Sequence, residues 1–427
     1  TYYPKAIDLG LERTFRLLED LGNPHLHMPP IFHVGGTNGK GSTLAYIRSI
    51  AESAGLSCHA MTSPHLVRVN ERFVVAGREL ENQQLLQLIE EVEDINAGRP
   101  TTSFEIMTAA GFLAFTRTPA DLTLLEVGMG GRFDATNVIK ETLATIITVI
   151  SRDHTKFLGT ELSAIALEKA GIIKENCPVI IGPQTAEGLR NGVMHVFEDA
   201  AAQKNAPLYR HGHEWSFDIL SDGFMLHTPT NMYHLPPPNL LGTHQYGNAA
   251  TASMALLTAL PAMKKPIPLA AFETGLKHAH WLGRLQKLHQ GPLVDTLTPT
   301  WDIWIDGGHN DTGGQVLAQQ AKNWAAQDGK ELHIILGMLN TKSPLDFAAP
   351  LAPYAKSIQT LTIPDQPLSF QAGELLKSLE PLQLPNLHIS NSPQQAVEYI
   401  TANYPAGGRI LITGSLYLMG HILTQHT

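Results

Sequence analysis

A glycine-rich turn that carries one lysine is the segment of the sequence with the clearest chemistry. Residues 35–42 read GGTNGKGS, after a β-branched run at residues 31–34 and before a helical pattern. Backbone N–H groups at a helix N-terminus favour phosphate, and Lys40 adds a positive charge. The common nucleotide loop, GxxxxGK[ST], has a glycine where this chain has Val34, and here Gly41 separates the lysine from the serine. The pattern predicts a phosphate-binding turn of a variant type, with a purely structural turn as the alternative.

Three further polar residues lie at or just after the carboxyl ends of predicted strands. Ser63 follows the second strand, Glu126 lies inside the third, and His154 follows the fourth. Open parallel sheets bind ligands at this edge. A carboxylate in an apolar run is costly unless it is paired or holds a cation, so Glu126 and His154 beside phosphates suggest magnesium with mostly oxygen ligands. The alternative is a structural ion pair between Glu126 and Arg132 or Arg152.

Lys169 lies on the apolar stripe of a predicted helix. The stripe contains Leu162, Ile165, Ala166 and Ile173, and Lys169 follows Ile165 by four residues, so its side chain is expected to point inward. A buried lysine has a lowered pKa, and its neutral amine can react with carbon dioxide to form a carbamate that holds a metal. The alternative is a lysine that extends outward from the last helical turn.

The elements that would position these residues alternate between strands and helices, which is typical of parallel sheets with crossover helices. The chain is predicted to form two α/β domains, residues 1–290 and 296–427, joined where residues 288–299 carry glycine and proline with little helical period. Predicted strands lie at residues 31–34, 57–61, 122–127, 143–150, 179–181, 301–305, 332–336, 357–362, 387–389 and 409–412. Predicted helices lie between them at residues 42–54, 83–93, 105–116, 161–170, 315–326 and 393–401.

Composition excludes several classes of protein. The 427 residues are 43% hydrophobic, which is enough for sizeable cores, and the net charge of −9 argues against a nucleic-acid binder held by bulk charge. The longest apolar run has eight residues, against about 20 for a membrane span, and no signal peptide is visible. Two distant cysteines, Cys58 and Cys177, exclude a disulfide framework, so a cytoplasmic location is expected.

The motifs together resemble the bacterial folylpolyglutamate synthase/dihydrofolate synthase family of the Mur ligase superfamily. The resemblance covers nearly the whole chain and rests on these segments, in order: Gly36-Thr37-Asn38-Gly39-Lys40-Gly41-Ser42, Ser63-Pro64-His65-Leu66, Asn70-Glu71-Arg72, Glu126-Val127-Gly128, Gly130-Gly131-Arg132, Asp134-Ala135-Thr136-Asn137, Asp153-His154, Glu168-Lys169-Ala170-Gly171-Ile172, Asp306-Gly307, His309-Asn310 and Gly414-Ser415. It implies a P-loop ATPase domain with a parallel-sheet core, followed by a smaller Rossmann-like α/β domain.

The resemblance also implies roles for single residues. Two magnesium sites would be held by Ser63, Glu126, His154 and a carbamylated Lys169. ATP, lying between the domains, would contact Gly39, Lys40, Gly41, Ser42, Asn248, Arg284 and Asp306. A dihydropteroate pocket, which favours the bifunctional members, would be lined by Asp8, Leu9, Gly10, Leu11, Phe104, Glu105, Arg132, Phe133 and Asp134, although Leu9 and Leu11 also fit ordinary packing at a helix start.

The expected activity is an ATP-dependent ligation of L-glutamate to dihydropteroate and to folylpolyglutamates, through an acyl phosphate, by a monomer. Lys40, His154, Lys169, Asp306 and His309 form the expected catalytic set, and Asp306 or His309 is the hypothetical base for the glutamate amine. Three alternatives stay open: a folylpolyglutamate synthase without the dihydrofolate synthase activity, a cell-wall Mur ligase, and a nucleotide-binding regulatory module. A Mur ligase would have an additional domain before the turn, whereas 34 residues precede it here.

Overall fold

The computed structural model describes residues 10–384 and 386–426. The chain divides into two compact units: the first runs to Asn239 and includes Gln245–His280, and the second contains Leu240–His244 and the chain from Trp281 onward. The predicted domains differ from these units in residues 240–244 and 281–290. Residues 286–287 form a strand of the second sheet, which explains why the division falls before them.

The first unit is built on an eight-stranded sheet and a small antiparallel sheet. Its strands are β1 (Ile31–Gly35), β2 (Cys58–Met61), β3 (Phe73–Val75), β4 (Arg78–Glu79), β5 (Leu122–Glu126), β6 (Ala144–Ile147), β7 (Val179–Ile181), β8 (Leu208–Arg210), β9 (Ser216–Leu220), β10 (Gly223–His227) and β11 (Met232–Leu235). Its helices are α1 (Glu12–Asp20), α2 (Lys40–Ser53), α3 (Asn82–Asn96), α4 (Ser103–Arg117), α5 (Thr155–Leu158), α6 (Leu162–Ala170), α7 (Ala186–Arg190), α8 (Val193–Gln203), α9 (His244–Ala259) and α10 (Leu269–His278).

The strand order of the large sheet is β4-β3-β2-β5-β1-β6-β7-β8. All pairs are parallel except those that β3 makes with β2 and β4. In the centre, Val34 lies opposite Glu126 on β5 and Ile146 on β6, so the carboxyl ends of three buried strands meet at one edge. One core packs helices α1, α3 and α4 on the sheet, and another packs α6 and α8.

The second unit contains a six-stranded sheet in the order β12-β13-β17-β14-β15-β16, parallel except for β12. The strands are β12 (Gln286–Lys287), β13 (Trp301–Asp306), β14 (Leu332–Leu336), β15 (Ala355–Thr360), β16 (Leu387–Ile389) and β17 (Gly408–Thr413). The helices are α11 (Pro292–Asp295), α12 (Asp311–Asp328), α13 (Pro344–Ala348), α14 (Ala372–Leu379), α15 (Pro393–Asn403) and α16 (Leu416–His426).

The α/β fold class with a parallel-rich core and a second sheet is therefore confirmed. The predicted elements are present, but the fourth strand is shorter than residues 143–150, because after Ile147 the chain leaves the sheet to contact the glycine-rich turn. The edge strand β16 was predicted, whereas the short strands β3, β4, β8 and β12 and the β9–β11 sheet were not, since their few residues carry little alternation. No helix of the described chain is long and apolar enough to cross a bilayer.

Candidate active site

The glycine-rich turn follows β1 and leads directly into α2. Gly36 and Gly39 have φ angles of +135° and +87°, a region of backbone space that favours glycine. The side chain of Thr37 fastens the turn to the chain after β6: its Oγ1 donates to the Ser151 carbonyl (3.1 Å) and accepts from the Ser151 N–H (3.1 Å). Helix α2 begins at Lys40, two residues before the predicted start, so its N-terminus faces the turn.

Helix α9 packs against this turn. A Cβ on Gly39 would lie 2.6 Å from Oδ1 of Asn248, and Nδ2 of Asn248 donates to Oε1 of Gln245 at 3.0 Å. Nε2 of Gln245 donates to Oγ of Ser42 in the first turn of α2 at 3.3 Å. The structure thus brings the predicted ATP contacts Gly39, Ser42 and Asn248 together in the first unit, and it adds Gln245, which the sequence did not indicate.

Glu126 and Ser63 meet beside the lysine of the turn. The Ser63 N–H donates to Oε2 of Glu126 at 3.2 Å, and Nζ of Lys40 lies 3.9 Å from Oε1. Oγ of Ser63 is buried and has no hydrogen-bond partner in the described chain. A buried hydroxyl oxygen beside a buried carboxylate is the donor set that magnesium prefers, so these residues fit the predicted metal.

Among residues 10–384 and 386–426, no group of three or more His, Cys, Asp or Glu side chains is placed to hold a metal ion.

The two arginines named as alternative partners of Glu126 contact other carboxylates: Arg132 pairs with Glu168, and Nη2 of Arg152 lies 2.6 Å from Oε1 of Glu187.

Lys169 is buried near the carboxyl end of α6, as the apolar stripe predicts. Its Nζ donates to the Gly36 carbonyl at 2.8 Å, which places the amine directly under the glycine-rich turn. Burial, and then the charge of Lys40, lowers the pKa of Lys169 to about 7. A neutral amine is therefore accessible near neutral pH, and this is the form that reacts with carbon dioxide.

His154 lies at the N-cap of α5 with a φ of +50°. Its side chain is 45% exposed, and Nε2 lies 3.9 Å from Oδ2 of Asp153. The structure does not bury this ring with Glu126 and Lys169, so its role as a metal ligand stays a prediction.

The residues after β5, 128–138, form a loop that ends in a single 3₁₀ turn at Ala135–Val138 and is tied to its surroundings by buried polar groups. The carboxylate of Asp134 accepts from the N–H groups of Gly128 and Met129 (both 2.9 Å) and from Oγ1 of Thr136 (2.5 Å). Burial raises the pKa of Asp134, and these hydrogen bonds act in the opposite direction. Thr136 in turn contacts Nε2 of the buried His33 on β1 at 2.9 Å.

Besides Asp134, the 128–138 loop carries two exposed residues that are predicted to contact the pteroate, Arg132 and Phe133. The Arg132 guanidinium lies 4.8 Å over the ring of Phe133, and both side chains are exposed. The Phe104 ring packs against this loop, because a Cβ on Gly128 would lie 2.6 Å from the ring.

Two predicted pocket residues have clear structural roles. Glu105 is buried at the start of α4, where it accepts from the Thr102 N–H (2.7 Å) and pairs with Nη2 of Arg13 (3.0 Å). Leu11, at the N-cap of α1, packs on the helical core, as the alternative of ordinary packing expected, and Gly10 precedes it. Asp8 and Leu9 lie outside the described residues.

The second unit holds its own cluster after β13. The carboxylate of Asp306 accepts from the N–H groups of Leu285 (2.9 Å) and Gly308 (2.7 Å). Burial raises the pKa of Asp306, whereas the charge of Arg284 lowers it. Nδ1 of His309 lies 2.8 Å from the Gly307 carbonyl, and the Gly414 N–H donates to Gly308 at 3.0 Å. The structure therefore gathers Arg284, Asp306 and His309 at one end of this sheet.

No family model matches the sequence. Among curated proteins, dihydrofolate synthase/folylpolyglutamate synthase of Bacillus subtilis is 33% identical over 427 residues, which cover 97% of this chain and 94% of that protein. A solved structure of Escherichia coli FolC in complex with DHPP and ADP matches with a TM-score of 0.85 and 29% identity, covering 99% and 94% of the two chains. A bifunctional folylpolyglutamate synthase/dihydrofolate synthase with Mn, AMPPNP and L-glutamate bound matches with a TM-score of 0.83 and 27% identity, covering 98% and 94%.

The fold, the glycine-rich turn and these relatives define an ATP-dependent ligase. The chain belongs to the dihydrofolate synthase/folylpolyglutamate synthase family. The family resemblance of the sequence motifs is thereby confirmed.

Proposed function

We propose that the chain joins L-glutamate to dihydropteroate, giving dihydrofolate, and to folylpolyglutamates, with ATP as the energy source. The observation that carries the proposal is the convergence of Lys40, Glu126, Ser63 and Lys169 on one glycine-rich turn, with Nζ of Lys169 2.8 Å from the Gly36 carbonyl. The relatives supply the substrate class, because the B. subtilis protein is named for both activities and the E. coli structure holds DHPP and ADP.

The first step transfers the γ-phosphoryl group of ATP to a carboxylate oxygen of the pteroate or folate substrate. An O–P bond forms, ADP leaves, and an acyl phosphate results. The N–H groups at the start of α2 and the Lys40 ammonium would bind the phosphates, and Asn248 would contact the nucleotide beside Gly39. The protein's contribution is mainly orientation and neutralisation of charge.

In the second step the unprotonated amine of L-glutamate attacks the acyl carbon. A C–N bond forms, inorganic phosphate leaves, and the amine gives up a proton. We propose Asp306 or His309 as the base, because both lie in the cluster after β13; the raised pKa of Asp306 favours proton uptake.

Magnesium is the divalent ion that we propose for this site, at two positions. When bound it would neutralise charge on the phosphate oxygens. The Ser63 hydroxyl, the Glu126 carboxylate, His154 and a carbamate on Lys169 would hold it. The carbamate arises when Nζ of Lys169 bonds to the carbon of carbon dioxide and loses a proton.

The test measures ATP-dependent incorporation of L-glutamate, with dihydropteroate and tetrahydrofolate supplied separately as the acceptor substrate. The products are identified by mass spectrometry. Both substrates are expected to gain glutamate. Lys40→Met is expected to abolish both reactions, whereas Lys277→Met, at an exposed lysine of α10, should leave them unchanged. Turnover of tetrahydrofolate alone would leave a folylpolyglutamate synthase and remove the dihydropteroate assignment. Absence of glutamate-dependent phosphate release would refute the ligase itself.

We also propose that the enzyme is a cytoplasmic monomer. Cys58 and Cys177 are both buried free thiols, which suits a reducing compartment. Light scattering on the purified chain tests the monomer, since a dimer would double the mass of 46.5 kDa.

A further inference from the structure

Asn137 joins the 128–138 loop to the end of helix α6. Its Nδ2 donates to the carbonyl of Arg132 in the loop and to the carbonyl of Gly171 after α6, both at 3.0 Å. Its Oδ1 accepts from Nζ of Lys174 at 2.7 Å. Both amide hydrogens and the amide oxygen are thus used, and the three partners come from two separate segments of the chain.

The backbones of these two segments touch where Asn137 holds them. The Arg132 N–H donates to the Glu168 carbonyl at 2.7 Å. A Cβ on Gly131 would lie 2.6 Å from the Glu168 carbonyl oxygen, and a Cβ on Gly171 would overlap Arg132. Side chains cannot enter this contact, so the loop and the helix end are held at backbone distance.

The same helix end carries Lys169, whose Nζ reaches the Gly36 carbonyl at 2.8 Å on its other side. The last turn of α6 therefore lies between the glycine-rich turn and the 128–138 loop. We therefore expect a shift at the loop–helix contact to displace the Lys169 amine relative to the turn and to displace Arg132 and Phe133 as well.

We propose that Asn137 is a positioning residue that holds the 128–138 loop and Lys169 as one rigid piece, so that binding of the pteroate substrate and of the divalent ion depend on the same side chain. The inference rests on the proposed function, because that function assigns the loop to the pteroate and Lys169 to the metal. It adds a residue that contacts neither ligand.

The test compares Asn137→Asp and Asn137→Ala with the unsubstituted enzyme. Asp has the shape of Asn and keeps an acceptor for Lys174, but it has no donor for the Arg132 and Gly171 carbonyls. The matched control is Asn191→Asp, because Nδ2 of Asn191 makes a single exposed bond, 2.8 Å long, to the Glu187 carbonyl.

Three dissociation constants are measured without turnover: dihydropteroate by calorimetry, Mn²⁺ alone by electron paramagnetic resonance, and metal-free ADP by calorimetry. Both Asn137 variants are expected to weaken the binding of dihydropteroate and of Mn²⁺ together, each by about tenfold or more. A displacement of about 1 Å at a preorganised site can lower an enzyme's rate about a hundredfold, so effects of this size on binding are reasonable. Metal-free ADP should stay within about twofold, because its N–H donors belong to α2. A loss of stability alone would not separate the ligands in this way.

Hydrogen exchange gives a readout that does not depend on any ligand. The amides of Arg132 and Ile172 are expected to exchange faster together in Asn137→Asp and to stay unchanged in Asn191→Asp. The comparison of Asn137→Asp with Asn191→Asp also tests the role of Asn137 if Asn137→Ala folds poorly.

Unchanged exchange, or a change in the affinity for one ligand without the other, would overturn the role of Asn137. Failure of the wild-type enzyme to glutamylate either substrate would instead overturn the proposed function, and the exchange experiment would still test the rigid connection.

Discussion

Substitution of Gly39 by alanine tests the contact between the glycine-rich turn and α9. The φ of Gly39 is +87°, and holding an L-residue in this region costs about 1–2 kcal/mol. The new Cβ would lie 2.6 Å from Oδ1 of Asn248, so one of the two must move by about 0.8 Å to reach an ordinary contact. Such overpacking costs about 1–3 kcal/mol. The total expected loss in the free energy of unfolding is about 2–5 kcal/mol.

Two further variants separate these contributions. Gly55 has a similar φ of +77°, and a Cβ there would meet no atom within 4 Å, so Gly55→Ala measures the backbone cost alone. The double variant Gly39→Ala/Asn248→Ala removes the clash and keeps the backbone cost. It should therefore regain about 1–3 kcal/mol relative to Gly39→Ala, after correction for Asn248→Ala alone.

The assay is urea unfolding of all four variants and the wild type at one pH, with calorimetric ADP binding as the second readout. Gly39→Ala should bind ADP more weakly, whereas Gly55→Ala should bind as the wild type does. If Gly39→Ala were no less stable than Gly55→Ala, or if the double variant regained nothing, the packing of α9 on the turn would be refuted.

Three other changes have definite expected outcomes. Burial lowers the pKa of His333 to about 4 in the folded chain, whereas the same imidazole has a pKa near 6.5 in the unfolded chain. The contribution of neutral His333 to the free energy of unfolding is therefore complete above pH 6.5 and is lost as the pH falls towards 4. Between pH 6.5 and pH 4 the wild type should therefore lose about 3 kcal/mol more free energy of unfolding than His333→Phe loses. Urea unfolding across this range measures the difference, and a parallel pH dependence of the two proteins would contradict it. Gly131→Ala should lower kcat/KM for glutamate ligation by about 10–100-fold, whereas Gly373→Ala, where a Cβ meets only one atom at 3.8 Å, should not change it. Arg409→Met should destabilise the second unit by about 1.5–3 kcal/mol in calorimetry, because the buried carboxylate of Asp302 loses the guanidinium at 2.7 Å, although it keeps Nζ of Lys330 at 2.8 Å. An unchanged transition would show that the pair contributes little.

The sequence by itself determined the features that depend on local order along the chain. The central strands are recognisable because their largely apolar runs are buried on both faces, and the glycine-rich turn is recognisable because it needs residues without side chains. The helical period placed Lys169 on the buried face of α6, since residues four apart share a face. The family motifs supplied the enzyme class.

Only the tertiary structure decided which distant residues meet. Asn248 lies against Gly39, more than 200 positions away in sequence, and His33 bonds to Thr136 across 103 positions. Asn137 belongs to one of the family motifs in the sequence, but the motif does not indicate its partners, because its three bonds exist only once α6 packs on the loop. Periodicity reports which face of an element is buried, but not what that face contacts. The partners are set by strand order and loop path, which arise when the whole chain is packed.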